Sequence, residues 1–172
     1  MDNAITGHTH SEGGALAPPS LLFRLGNPGL ANLLVEGSDA AVRFRVAREF
    51  HEAGRLRRGP FVATSARAED WTSVFFRALS GEVRVGSLCP LRDAEGGTLF
   101  LDEIEALDRD AQRLMLEFLN HGRATGARDR GWAGLIAVGS ADDLGWRAAR
   151  GEFLPALYDS LDKIRVNLSL VA

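Results

Sequence analysis

Two adjacent carboxylates, those of Asp102 and Glu103, directly follow the apolar run TLFL at residues 98–101. A short apolar run of this kind is typical of a buried strand, so the acids would lie where that strand leaves the core. There, one carboxylate can hold Mg²⁺ while its neighbour orients or deprotonates an attacking water. Many strands nevertheless end in carboxylates that only contact solvent or cap local backbone. Taken alone, the pair leaves both interpretations open.

Other residue types that could support chemistry are scarce. Cys89 is the only cysteine, which excludes an internal disulfide or a cysteine-based zinc cluster and fits a reducing compartment. Of the 20 basic residues, Lys163 is the only lysine, and it lies close to the C-terminus. A phosphate-binding loop needs glycines and a lysine followed by serine or threonine. The sequence therefore contains no intact loop of this type.

The length and composition favour one domain without a membrane span. The chain has 172 residues, of which 45% are hydrophobic and 25% charged, enough for one sizeable core. A net charge of −3 offers no broad electrostatic reason to bind nucleic acid or an anionic membrane. No apolar run approaches the ~20 residues of a membrane helix, and no secretory signal opens the chain. These features predict a cytoplasmic protein.

Short apolar runs alternate with helical patterns, which is typical of parallel strands joined by crossover helices. We expect strands at residues 30–36, 60–66, 98–101, 134–139 and 164–170. We expect helices at residues 40–53, 69–79, 108–120 and 145–161, with Asp108 as an N-cap and an interruption at Pro155. Residues 1–19 are expected to form a flexible tail, and residues 20–172 one α/β domain in three layers, with a five-stranded, mostly parallel sheet.

Residues 96–107 (GGTLFLDEIEAL) and 110–119 (DAQRLMLEFL) resemble the Walker B strand and following helix of the sigma-54 activators. Similar matches occur at residues 46–51 (VAREFH), 60–63 (PFVA), 135–140 (LIAVGS) and 151–161 (GEFLPALYDSL), so the resemblance covers roughly residue 30 to the C-terminus. It implies a P-loop NTPase-like (AAA+) α/β/α core. It also implies that Asp102 stands at the Mg²⁺-holding position and Glu103 at the position that prepares the water.

The phosphate-binding loop is where the chain departs most from this family. Aligned through VAREFH, the family loop GESGTGKE falls on residues 37–44, GSDAAVRF. Gly37 is retained, but Ala40 and Val42 stand at glycine positions and Arg43 stands at the lysine position. Phe44 replaces the hydroxyl that commonly binds Mg²⁺. Gly37 and Arg43 are thus the candidate nucleotide-binding residues of a degenerate Walker A loop, where a β-branched residue and a planar guanidinium are poor substitutes.

Further family positions are also unmatched. Leu154 and Ser160 stand where the family has arginines that reach a neighbouring subunit, and Ser140 stands where the first sensor strand has asparagine. Arg147 and Arg165 are nearby in sequence and could in principle compensate. The interval before residue 96 contains no GAFTGA loop, and the sequence given ends near the fifth strand, so no helical lid is expected.

These departures predict a non-catalytic sigma-54-activator-like domain, a pseudo-ATPase that regulates transcription through protein contacts. The partner would be a sigma-54 activator or another component of that pathway, and we expect a monomer or dimer. We expect no metal and no cofactor. The alternative is a weak ATP-binding protein or ATPase that uses Asp102 and Glu103, with ATP and Mg²⁺ as cofactors. Direct DNA binding through the arginine-rich residues 55–58 or 123–130 is expected to be unimportant, given the acidic total.

Overall fold

The computed structural model describes residues 31–81, 89–121 and 132–168. Within them, five strands form one sheet in the order β2-β3-β4-β1-β5, and every pairing is parallel. The strands are β1 (Leu33–Glu36), β2 (Phe61–Ser65), β3 (Thr98–Asp102), β4 (Leu135–Ser140) and β5 (Ile164–Asn167). The central strands read as continuous apolar runs because both faces of the sheet are covered.

Helices cover the two faces unequally. The helices are α1 (Ala40–Ala53), α2 (Trp71–Ser80), α3 (Pro90–Asp93), α4 (Arg109–His121), α5 (Leu144–Ala149) and α6 (Pro155–Leu161), with a 3-10 turn at Ile104–Ala106. Val46 and Phe50 of α1 pack on Leu33 and Val35 on one face. The side chains of α2, α4, α5 and α6 join a larger core on the other face, where Met115 is fully buried. The result is three layers.

The expected α/β fold is confirmed, with differences at element ends. The region 145–161 forms two helices, α5 and α6, because Pro155 occupies the first turn of a new helix, where its missing N–H costs nothing. Asp108 caps α4 as expected, since its Oδ1 accepts a hydrogen bond from the Ala111 backbone N–H at 2.8 Å. The short α3 and the 3-10 turn are additions that sequence reasoning did not predict. The expected tail 1–19, residues 82–88 of the interval searched for GAFTGA and the arginine-rich residues 123–130 lie outside the described residues.

The parallel arrangement brings the ends of β1, β3 and β4 to one edge of the sheet. Glu36 pairs in register with Ser140 of β4 and with Asn167 of β5. Asp102 is the last residue of β3, which lies directly beside β4. The loops that leave these strands therefore surround one place, where parallel α/β proteins commonly build their sites. No helix among the described residues is long and apolar enough to cross a membrane.

Candidate functional site

Only three residues, 37–39, separate β1 from α1, so most of the segment aligned with the family loop is helical. Asp39 is the N-cap of α1, and its Oδ1 accepts the backbone N–H groups of Ala41 at 2.9 Å and Val42 at 3.1 Å. The next backbone N–H, that of Arg43, donates to the Asp39 carbonyl at 3.0 Å. The Arg43 bond is the ordinary first hydrogen bond of the helix, whereas the Ala41 and Val42 donors, which could otherwise face an anion, are satisfied by an aspartate side chain within the chain. Val42, a poor substitute at a glycine position of a tight loop, adopts helical backbone here.

Arg43 extends from α1 onto the acid at the end of β3. Its Nε donates to Asp102 Oδ1 at 2.7 Å and its Nη2 donates to Asp102 Oδ2 at 2.9 Å, a bidentate ion pair. Its Nη1 donates to the Gly37 carbonyl. The Arg43 side chain is only 3% exposed and that of Asp102 16%. The guanidinium therefore occupies both oxygens of the carboxylate that the family resemblance assigns to Mg²⁺.

The surroundings of this ion pair fix both partners. The pKa of Arg43 is raised, chiefly by its hydrogen bonds to Asp102 and further by the charges of Asp102, Glu105 and Glu103, while burial acts in the opposite direction. Gly139 of β4 leaves the space that Asp102 occupies, because a Cβ at that glycine would lie 2.1 Å from Asp102 Oδ1. Arg43 is thus a permanent cation among three acids.

Glu103 faces a different set of partners from its neighbour. It has left-handed backbone, with φ 55° and ψ 41°, the only positive φ at a non-glycine residue in the described ranges. Ser65 Oγ donates to its Oε2 at 2.5 Å and Arg67 Nε donates to its Oε1 at 3.1 Å. The pKa of Glu103 is lowered by the Ser65 hydrogen bond first and by Arg67 next. Glu103 is thus an ionised, partly exposed carboxylate held beside the end of β2.

The end of β4 is connected to the loop after β1 and to the 3-10 turn. Ser140, at the asparagine position, is fully buried; its carbonyl accepts the Gly37 N–H at 2.9 Å and its Oγ accepts the Asp142 N–H at 3.2 Å. Glu105 Oε1 accepts the Ala141 N–H at 3.3 Å. Ser140 therefore serves local backbone contacts at this edge.

Arg147 and Arg165, which were candidates to replace the missing family arginines, both contact nearby side chains. Arg147 pairs with Asp142, with Nη2 2.6 Å from Oδ2. Arg165 donates to the Tyr158 hydroxyl at 2.8 Å. At the family's arginine position, the Leu154 backbone N–H donates to Gln112 Oε1 at 2.8 Å. Both arginines are thus committed to local partners.

Glu36 is a third acid at this edge, and sequence reasoning did not single it out. It is 2% exposed; its Oε1 accepts the Leu144 N–H at 2.9 Å, and its Oε2 has no hydrogen-bond partner among the described residues. Burial raises its pKa, opposed by the Leu144 hydrogen bond; the charges of Asp143 and, more weakly, Asp162 raise it, and that of Arg165 lowers it. The strand-end position, directly before Gly37, was the signal that could have identified it.

The structure brings together three of the four residues singled out from the sequence. Arg43 contacts both Gly37 and Asp102, whereas Glu103 points to a separate serine and arginine. The described residues contain no group of three or more histidine, cysteine, aspartate or glutamate side chains arranged to hold a metal ion. Sequence reasoning missed the capping role of Asp39, although an aspartate directly before a helical pattern is a recognised N-cap signal.

Comparison with known proteins agrees with this architecture. The family model described as the sigma-54 interaction domain matches residues 25–167. Relatives include the DNA-binding transcriptional regulator NtrC of Rhizobium meliloti, 34% identical over 99 residues, which cover 54% of this chain and 20% of that protein. The C4-dicarboxylate transport transcriptional regulatory protein DctD of the same species is 34% identical over 149 residues, covering 80% of this chain and 32% of that protein.

Solved structures show the same fold. NtrX from Brucella abortus, determined in complex with ATP, has a TM-score of 0.71 at 24% identity, covering 95% of this chain and 39% of that one. The P-loop NTPase domain of a sigma-54 transport activator from E. coli has a TM-score of 0.55 at 21% identity, with 87% of each chain covered.

The fold and the site define a P-loop NTPase-like domain of the AAA+ class. The family match then makes the identification more specific: the chain belongs to the sigma-54 activator family of transcription regulators. It spans between about a seventh and a third of the length of the curated relatives it matches.

Proposed function

We propose that this protein regulates transcription as a sigma-54-activator-like domain that does not hydrolyse ATP and acts through contacts with another protein. The observation that carries the proposal is the ion pair of Arg43 with Asp102. In this arrangement the carboxylate that would hold Mg²⁺ has both oxygens engaged by a buried guanidinium. Mg²⁺ in nucleotide sites depends on one or two carboxylates together with the substrate phosphates, so the loss of this one removes much of the site.

The side chains present do not fit a Mg²⁺-nucleotide group in this arrangement. The Asp39 carboxylate caps α1 where the phosphates would need backbone donors, and Glu105 and Glu103 add negative charge around Arg43. A polyphosphate at this place would meet carboxylates instead of a cradle of N–H groups. Both hydrogen bonding and electrostatics therefore support a domain that works without nucleotide.

The chain also offers no free arginine, at the positions considered, that could reach the nucleotide of a neighbouring subunit. Leu154 provides only a backbone donor, and Arg147 is paired with Asp142. An arginine finger contributes about 10³ to 10⁵ in rate in related enzymes, so its loss would matter even if nucleotide were bound. The alternative function, weak ATP binding or hydrolysis through Asp102 and Glu103, requires Arg43 to leave Asp102 before Mg²⁺ can bind.

Calorimetric titration with Mg²⁺ and a non-hydrolysable ATP analogue tests the proposal. We expect no binding heat at high protein concentration, whereas NtrX of Brucella abortus, whose structure was determined with ATP, is the positive control and should bind under the same conditions. The Arg43→Ala variant gives a more stringent test, because it frees the Asp102 carboxylate while the Asp39 side chain still caps α1. We expect this variant also not to bind Mg²⁺ and the ATP analogue. Micromolar binding by the unaltered protein, about −8 kcal/mol, would favour the alternative.

A second measurement addresses the protein partner. Light scattering of this protein mixed with the ATPase domain of a sigma-54 activator should reveal a mixed complex, and the ATPase rate of that domain should change in proportion to complex formation. The Glu103→Gln variant should have the same effect as the unaltered protein, because the proposed function uses no water activation. Loss of the effect in a folded Glu103→Gln variant would contradict the proposal.

A further inference from the structure

Arginines are concentrated on the outward side of α1 and on the turn that follows it. Residues 45–58 contain five arginines and two glutamates, which gives this stretch a formal charge of +3. Because the whole chain has a net charge of −3, the remaining residues together carry −6. His51 in this stretch is buried, and burial lowers its pKa, so it adds no charge at neutral pH. The arginine surface is defined here as Arg45, Arg48, Arg55, Arg57 and Arg58. The net negative charge of the whole chain therefore does not describe this face, which is positively charged.

The charge of the arginine surface is largely uncompensated. All five side chains belong to exposed residues. Arg48 pairs with Glu52 at 3.2 Å, with both side chains more than half exposed, and Arg57 Nη1 donates to the Gly54 carbonyl at 3.5 Å. Arg45, Arg55 and Arg58 form no ion pair within residues 31–81, 89–121 and 132–168. Their guanidinium groups are available to an external anion.

The turn that presents three of these arginines is held in place. Leu56 packs against the core beneath α1, and its carbonyl accepts the Gly59 N–H at 2.8 Å. Gly59 lies so close to the segment before β3 that a Cβ there would be 2.0 Å from the Gly96 carbonyl oxygen. Because the backbone is already ordered, binding through these arginines would mainly order their side chains.

The composition of this face favours a nucleic acid over a protein. Among the described residues the exposed large hydrophobic side chains are those of Phe44, Phe76 and Trp146. Phe44 borders the arginine surface one helical turn before Arg48, and residues 45–58 add no further exposed large hydrophobic side chain. Protein interfaces have an apolar centre depleted in charge, whereas binding to a phosphate backbone needs cations and no such centre. Residues 45–53 of α1 span about 13 Å before the turn that carries the other three arginines, a length over which duplex DNA presents several phosphates per strand.

We propose that the arginine surface binds the phosphate backbone of duplex DNA without reading its sequence. It is a second binding face, on the helix that covers one side of the sheet, and it does not depend on whether the Arg43 site binds nucleotide. Guanidinium groups suit this role because they can donate two hydrogen bonds to one phosphate.

Fluorescence anisotropy with a labelled duplex of about 30 base pairs, titrated between about 50 and 200 mM salt, tests this. The test variant carries Arg55→Gln, Arg57→Gln and Arg58→Gln. A matched control carries Arg77→Gln, Arg109→Gln and Arg113→Gln, three exposed arginines of α2 and α4, which cover the opposite face. Both variants lose three positive charges; they differ in position and in the exposed Arg113–Asp110 ion pair that the control removes. Thermal melting by circular dichroism verifies that both fold.

We expect the unaltered protein to bind, with an affinity that falls steeply as salt rises. The test variant should bind at least tenfold more weakly at low salt, and the slope of log affinity against log salt should fall by about three. The control should retain most of the affinity. Absence of binding at low salt, or equal losses in the two variants, would overturn the proposal. Displacement by polyglutamate at equal charge concentration would also overturn it, in favour of an acidic protein partner.

Discussion

Asp102 and Glu103 are neighbours in the chain and each contacts an arginine, yet their ion pairs lie in different surroundings. The Arg43 and Asp102 side chains are 3% and 16% exposed, whereas those of Arg67 and Glu103 are 66% and 36% exposed. A buried charge left without its partner is costly, while water solvates an exposed one. The same pairing of residue types therefore makes Arg43 structurally important and leaves Arg67 nearly dispensable for stability.

Replacing Arg43 by alanine should have the largest effect. Asp102 would remain mostly buried without its cation, so we expect the free energy of unfolding to fall by about 3–5 kcal/mol. Urea denaturation followed by circular dichroism measures this. The Arg43→Ala and Asp102→Asn double variant should recover part of the loss, because it removes the unpaired charge. Purely additive losses would show that the two side chains are not coupled.

Replacing Arg43 by lysine separates the charge from the geometry of the pair. Lysine preserves the positive charge but cannot donate two parallel hydrogen bonds to Asp102 and a third to Gly37. We expect a smaller loss of stability, about 1–3 kcal/mol, and still no ATP binding, since Asp39 continues to cap α1. If the lysine variant bound Mg²⁺-ATP, the identity of residue 43 alone would account for the loss of the site.

Glu36 extends the comparison to a buried acid whose Oε2 has no partner among the described residues. The pKa of Glu36 in the folded protein is raised above 4.5, which means that folding favours the protonated carboxyl. The stability that the protonated carboxyl contributes is lost as pH rises through this folded-state pKa. Replacing Glu36 by glutamine should raise stability at pH 7 by on the order of 1 kcal/mol. The advantage should shrink as pH falls through the folded pKa towards 4.5, and change little below 4.5, where the carboxyl is protonated in both states. Melting temperatures measured from pH 4 to 8 would show it, and an advantage independent of pH would contradict this account.

Disrupting the more exposed ion pair, that of Arg67 with Glu103, should change the stability of the protein least. Replacing Arg67 by alanine should change the free energy of unfolding by less than about 0.5 kcal/mol, with the difference vanishing at high salt. Denaturation at low and high salt, alongside Arg43→Ala, gives the direct comparison. A loss as large as that of the Arg43 variant would mean that burial does not distinguish the two pairs.

Much of the fold could be predicted from the sequence, because strands and helices follow from local periodicity. The runs around Leu99, Leu135 and Val138 indicate buried strands, and the aspartate at 108 indicates a helix start. The site was predicted only as a set of positions. The direction of the Arg43 side chain was not predictable, because its partner Asp102 is 59 residues away in the chain.

The sequence by itself determined the sigma-54 activator family, the order of strands and helices, and the absence of an intact phosphate-binding loop, since each is recorded in local patterns of residues. Only the tertiary structure decided that Arg43 binds Asp102, that the Asp39 side chain accepts two backbone N–H groups at the start of α1, and that Glu36 is buried at the same edge of the sheet. The physical reason is that burial and ion pairing depend on distances between strands that are remote in sequence and adjacent in the sheet.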